Sequence, residues 1–325
     1  MNTTAKNILY FVLSTLLGGL LMWWIYRDFR WQELWQVFAQ RTNYVWIAQA
    51  LLAGVVANVL RSLRWRMLLQ AAGVRIKVRR AVELVFISYL INAVTPRLGE
   101  LTRSLLVRRG QADVSARALG TVVSEKLTDV CCLVLVVAAA MALRWHATLH
   151  MLARVHERWQ QAVPTGTGLL VALGVVALAA VTVALLWRHV RRLLLNLWQG
   201  MASVLHLRSP WAFAGISLAI WACNFLQLYL VLPCFEALQG ITLASALHLF
   251  AVASVGLLVP TPAGAGPWHF FVVKTLTSVY HVGQATAKSF AFVSHGLKTC
   301  LVLILGILGY AGYYRSLFLW WRRKH

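Results

Sequence analysis

The sequence predicts an all-α polytopic membrane protein, with about six full spans and two broken, re-entrant helical hairpins. Three observations predict it. Hydrophobic residues make up 60% of the 325 and charged residues only 12%, whereas a soluble domain is nearer a quarter charged. Several apolar runs approach or exceed the roughly 20 residues that cross a bilayer. Trp23, Trp24, Trp46, Trp65, Trp145, Trp187, Trp211, Trp320 and Trp321 lie near the ends of these runs, where amphipathic rings anchor helices at the interface.

The elements follow in order. Residues 6–26 form the first span; the run ends in Met22-Trp23-Trp24 without a small-residue cleavage site, so it reads as a retained helix and not a signal peptide. RWQELWQVFAQR at 30–41 reads as a short helix on the membrane surface. Full spans follow at 43–62, 118–143, 166–187, 210–232 and 286–312. A second surface helix at 188–207 places Val190, Leu194, Leu197, Met201 and Val204 on one face and three arginines on the other.

Two apolar segments, 81–95 and 244–259, are too short for a span. Each ends in a Thr-Pro pair with glycines, VTPRLGE at 94–100 and VPTPAGAG at 259–266, and each is followed by another apolar stretch, 101–107 and 267–280. Pro96 and Gly99 break the first; Pro260, Pro262, Gly264 and Gly266 break the second. Freed backbone groups are tolerated at membrane depth only beside protein or water. Interrupted segments at corresponding places in two halves are the sequence mark of a transporter site.

Charge distribution chooses the topology. With both broken segments re-entrant and the N-terminus inside, 21 Lys/Arg lie inside and 8 outside; with nine full spans the split is 12 against 17. The positive-inside rule selects the first arrangement, with both termini cytoplasmic in the inner membrane of a bacterium. The whole chain, 1–325, is then one membrane domain. Its two hairpins enter from opposite sides, as inverted-repeat halves of about 43–143 and 210–314, with the Thr-Pro pairs 166 residues apart.

Composition also excludes. The net charge of +22 suits cytoplasmic loops facing anionic lipid, and no nucleic-acid motif accompanies it. The five cysteines form no CxxC pair and sit in apolar segments, so no disulfide frame or metal site is expected. No HExxH, P-loop or GxSxG motif occurs, so no cofactor is expected. Transport is then passive, ion-coupled or driven by a partner protein of envelope-lipid metabolism. A membrane-embedded enzyme acting on a lipid head group, with Glu100 or Glu125 as base, and a non-catalytic partner of such machinery are the competing readings.

Nine acidic residues are few enough to weigh singly. Asp28, Glu33, Asp113, Glu157 and Glu236 read as solvated charges, whereas Glu83, Glu100, Glu125 and Asp129 lie in or beside apolar segments. Glu125 and Asp129 are spaced i, i+4 and share a helix face. Intramembrane ions need partners or a wet cavity, and Arg97, Arg103, Lys126 and Lys298 are the candidates. Arg97 and Arg103 also carry the planar fork that suits phosphate. Arg61, Arg64 and Trp65, in LRSLRWRMLL, read as cytoplasmic anchors with snorkelling stems more readily than as substrate contacts.

Four motifs in order, LRSLRW at 60–65, NAVTPRLGELTR at 92–103, SEKLTD at 124–129 and PTPAGAG at 260–266, make the chain resemble the flippase-like family that includes the transmembrane region of lysylphosphatidylglycerol synthases. The family's Asn and Pro-x-Arg-x-Gly-Glu-x-x-Arg fall on Asn92, Pro96, Arg97, Gly99, Glu100 and Arg103; its Glu-Arg-x-x-Asp falls on Glu125 and Asp129, with Lys126 for arginine. In the last motif Ala263 replaces a glycine and His269 stands where a glutamate often falls. The resemblance implies movement of a lipid with a phosphate-bearing or otherwise polar head group between leaflets. Arg97 and Arg103 would hold the head group, with Asn92, Glu100, Glu125, Asp129 and Lys298 around it. His269 is either a head-group donor or a packed polar residue. The synthases' soluble transferase domain has no counterpart in these motifs, so lipid lysylation does not follow.

An impermeant thiol reagent is expected to reach cysteines introduced at the two breaks from opposite membrane faces. Labelling of both from one face would sink the inverted arrangement.

Overall fold

The computed structural model describes residues 3–29, 31–95, 98–107, 111–145, 207–259 and 261–322. They form ten α-helices: α1 (Thr3–Tyr26), α2 (Trp31–Ala39), α3 (Arg41–Ala71), α4 (Val78–Val94), α5 (Leu98–Leu106), α6 (Ala112–Leu143), α7 (Pro210–Tyr229), α8 (Leu243–Gly256), α9 (Pro267–Ser278) and α10 (Gln284–Arg322). Short 3₁₀ turns lie at Leu232–Cys234, Glu236–Leu238 and Pro262–Gly264, and no strand occurs among the described residues.

The all-α membrane architecture is as expected. Asn43–Ala71, Asp113–Leu143, Pro210–Cys234 and Gln284–Arg315 are long and apolar enough to cross a bilayer, and α1 has 24 residues over the first expected span. The α2 helix exposes Trp31 and Trp35 and buries Leu34 and Val37, the two-faced pattern of a helix lying at an interface. The expected span at 166–187 and the surface helix from 188 lie outside the described residues, as do Pro96, Arg97 and Pro260.

Both broken segments are helical pairs. α4 has 17 residues and α5 nine; α8 has 14 and α9 has 12. At 1.5 Å per residue none reaches the roughly 30 Å of a hydrocarbon core. Within each pair the two helices pack on each other. The open end of the first is closed by Arg80, whose Nη2 donates to the Leu106 carbonyl at 3.4 Å, beside the start of α6. The open end of the second is closed by Tyr280, whose hydroxyl donates to the Ser245 carbonyl at 3.0 Å. Arg144, just past the end of α6, donates to Ser245 Oγ there at 3.0 Å. The hairpins therefore open at opposite ends of α6.

Each pair turns back at its break. At the first, Asn92 bridges the turn: its Oδ1 accepts from the Gly99 N–H at 2.8 Å and its Nδ2 donates to Glu100 Oε2 at 3.0 Å. A Cβ on Gly99 would lie 2.0 Å from the Ser88 carbonyl oxygen, so only glycine lets α5 fold back this closely. The second tip runs through Ala263 (φ 53°), Gly264 (φ 76°) and Gly266 (φ 90°). It lies against both α1 and α4, and a Cβ on Gly266 would come within 2.9 Å of the Gly18 carbonyl oxygen of α1.

α10 is the spine that joins the two halves. It runs antiparallel to α4, facing it with Gly306, Gly309 and Gly312: added Cβ atoms would stand 2.7 Å from Leu90 Cβ, 2.7 Å from Phe86 Cβ and 3.0 Å from Glu83 Oε1, respectively. Small residues allow such backbone approach where lipid offers no hydrophobic drive between helices. Glu83 is held at this seam by Arg79 Nε at 2.8 Å, and the Arg80 guanidinium lies 3.7 Å over the Tyr313 ring. One apolar core surrounds α3, α7, α8, α9 and the first part of α10, and a second surrounds Trp65, α4 and the later part of α10.

Gly309→Leu should wedge α10 off α4 and cost about 1–3 kcal/mol, the usual range for overpacking; thermal unfolding of the detergent-solubilised protein would show a lowered midpoint. Ala263→Gly should act oppositely. A left-handed conformation costs a non-glycine residue roughly 1–2 kcal/mol, so relief offset by glycine's entropy should raise the midpoint by a few degrees.

Candidate functional site

The site grows from three helix faces. On α3, LRSLRW places Arg61 and Arg64 one turn apart, with Trp65 beside them. On α6, Glu125 and Asp129 lie one turn apart and face α3. The short α5 contributes Glu100 and Arg103 from the far side of the first break.

These charges form one connected network. Arg64 Nη2 donates to Asp129 Oδ1 at 2.8 Å and stands 3.6 Å from Glu125 Oε1. Arg103 Nη2 is paired with Glu125 Oε2. Arg61 approaches Asp129 Oδ2 at 3.8 Å. Lys126 Nζ reaches Glu100 Oε1 at 2.7 Å. Trp65 forms the floor: the Arg103 guanidinium lies 4.5 Å over its ring, and its indole N–H donates to Thr121 Oγ1 at 3.1 Å.

Burial grades the network from inside to outside. The side chain of Arg64 is 0% exposed and those of Arg103 and Glu125 are 3%, so this centre is walled in by protein. Asp129 and Arg61 retain 19% and 23%, and form the accessible margin. The sequence reading of Arg64 as a snorkelling anchor does not survive. Seven residues before the end of α3, its side chain is wholly buried against α6, and two carboxylates compensate its charge instead.

The compensation is incomplete. Arg61, Arg64, Arg103, Lys126 and Lys298 face Glu100, Glu125 and Asp129, five cations to three anions. Lys298, half-buried on α10, lies within electrostatic range of Arg61 and has no carboxylate partner among the described residues. Among the described residues, Arg61 Nε, Arg64 Nε and Nη1, and Arg103 Nε are buried without an acceptor, and the Tyr89 hydroxyl is likewise unpartnered. Buried N–H donors normally find acceptors, so the site holds surplus charge and surplus donors together.

The structure gathers Asn92, Gly99, Glu100, Arg103, Glu125, Asp129, Arg61, Arg64 and Trp65 into this region. Arg97 lies outside the described residues. His269 falls apart from it: 2% exposed, it accepts at Nδ1 from the Gly266 N–H at 3.4 Å. Its ring packs against His295, centroids 4.5 Å apart, and edge-on against Tyr26. Of the two roles open to it, packing is the one with observed partners. Sequence reasoning missed His295, whose Nε2 meets the Ala263 carbonyl at 3.2 Å and pins the left-handed turn. Its only signal was its place one turn before Lys298. It also missed Tyr89, an unremarkable aromatic inside an apolar run.

Glu125→Gln should be far more damaging than Glu100→Gln. The first strands two buried guanidinium groups, and breaking such a pair costs about 3–5 kcal/mol. The second loosens a partly exposed contact worth at most about 1 kcal/mol. Fluorescence-detected size exclusion after graded heating separates these outcomes.

No solved structure matches the chain. A UPF0104 membrane protein of Pyrococcus horikoshii is 24% identical over 187 residues, covering 56% of this chain and 49% of that protein. This chain thus spans about half the length of the curated relative it matches. The family model described as the lysylphosphatidylglycerol synthase TM region matches residues 11–306, and the chain belongs to that family.

Proposed function

We propose that the protein moves a lipid with a phosphate-bearing head group between membrane leaflets. The observation that carries this reading is the surplus of buried, unpartnered guanidinium N–H groups on Arg61, Arg64 and Arg103, beside an accessible margin and under a broken helix. A phosphate oxyanion supplies both the charge and the acceptors the site lacks, and an arginine fork meets it in two parallel bonds. Arg61 and Asp129, at the margin, would receive the head group, while Arg64, Glu125 and Trp65 hold the arginines in place. Acyl chains would remain in lipid.

The two hairpins, opening at opposite ends of α6 with the tip of the second lying against α4 of the first, support an alternating-access route on an inverted-repeat plan. In such folds the ligand site lies near the midplane where broken helices meet. The phosphate would enter past Arg61 from the first hairpin's side. We place that side in the cytoplasm because it carries most of the basic loops.

Reconstitution into liposomes tests this. With fluorescent phosphatidylglycerol and a leaflet-selective quencher, wild-type protein should make the inner-leaflet pool accessible at unchanged lipid mass. Arg61→Gln should slow this about tenfold or more while leaving the unfolding midpoint within a few degrees. Failure to move phosphatidylglycerol, a polyprenyl phosphate or lysylphosphatidylglycerol would overturn the proposal. A change in lipid mass would favour a head-group-modifying enzyme.

A further inference from the structure

The far end of α10 holds a second, separate concentration of positive charge. Where α1 ends and α10 begins, a cavity of about 380 Å³ is lined by Trp24, Arg27, Phe270, Lys274, Gln284 and Lys288, with Asp28 at its edge. Its volume falls in the roughly 300–1,000 Å³ range of small-molecule sites. Lys288 is 5% exposed and has neither an ion pair nor a side-chain hydrogen bond among the described residues. Asp28, the one carboxylate among the described lining residues, pairs with Arg27 at 3.3 Å, and both side chains are mostly in solvent. The stem of Lys288 is thus covered by protein, and its ammonium, with no counter-ion among the described residues, borders an open cavity.

We propose that this cavity is a second phosphate-binding site, with Lys288 as its anchoring cation. Three further features fit such a ligand. Lys274 and Arg27 ring the mouth, adding charge that draws an anion inward. Gln284, the first residue of α10, lines the cavity, which places it at a helix N-terminus, the end that favours anions. Trp24 and Phe270 provide an aromatic wall, with rings 6.1 Å apart, suited to the glycerol and upper acyl carbons of a lipid. Ten residues along one helix separate Lys288 from Lys298, about 15 Å at 1.5 Å per residue. The second break, pinned by His295, lies between them. The site stands on its own geometry. As a station on a route from the arginine cluster, it rests on the transport reading above.

The ligand chemistry is a phosphate mono- or diester, from a membrane lipid or from solution. Native mass spectrometry of the full chain, purified in detergent and titrated with phosphatidylglycerol, tests it. Wild type should retain a phosphatidylglycerol that Lys288→Met loses, its affinity weakened tenfold or more, and that Lys288→Arg keeps. Lys274→Glu, at the exposed mouth, should weaken the same lipid several-fold without threatening the fold. A neutral glucosyl diacylglycerol should not be retained there. Displacement of the bound lipid by millimolar inorganic phosphate would assign recognition to the phosphate alone; resistance to it would assign the lipid as the source. Equal retention by wild type, Lys288→Met and Lys274→Glu overturns the site. Loss of the lipid in Lys288→Met but not in Arg61→Gln, from a protein that transports nothing, would leave this site standing and remove only the transport reading.

Discussion

The pairing of Arg64 and Arg103 with Glu125 and Asp129 is the constraint on which the rest depends. It ties α3, α5 and α6 through a centre of Arg64, Arg103 and Glu125 that protein walls in. Ions this deep are tolerated only when partnered, so the three helices cannot drift apart without stranding charge. α5 has only nine residues, too few to hold a position by itself. Arg103 fixes one face of it, and Asn92 and Gly99 fix its start. The start of α5 is thus tied to α4 and its buried face to α6.

The second hairpin is held by other means. No carboxylate reaches its tip among the described residues. Backbone shape does the work: two glycines and Ala263 in left-handed conformations, Gly18 pressed against Gly266, and His295 on the Ala263 carbonyl. One tip is set by charge and the other by close packing and neutral hydrogen bonds. The chemistry of the two hairpins differs, and the surplus charge sits with the first. That asymmetry is why the arginine cluster carries the functional proposal.

Much of this was legible in the sequence, for identifiable reasons. Apolar run length fixes where spans lie, and Pro and Gly mark the breaks, because both signals are local. The i, i+4 spacing of Glu125 and Asp129 correctly put both on one face. Partner choice was not legible: Arg61 and Arg64 pair with Asp129 across 65 or more positions, and a basic residue near a helix end reads alike whether it snorkels outward or turns in. The roles of Gly306, Gly309 and Gly312 were equally hidden. A glycine's lack of a side chain acquires meaning only once α4 is known to lie opposite. His269 shows the remaining limit, since a polar residue beside a break suggests a ligand until a backbone N–H is found occupying its lone pair.

The glycine face of α10 bears on motion as well as assembly. Leu301, Leu305 and Tyr313 of α10 pack into the α4 core on either side of the glycines, so a shift along the seam requires those side chains to change rotamer. At the glycines themselves backbone meets backbone, and the first hairpin is held to α10 at a spacing that no larger residue would allow.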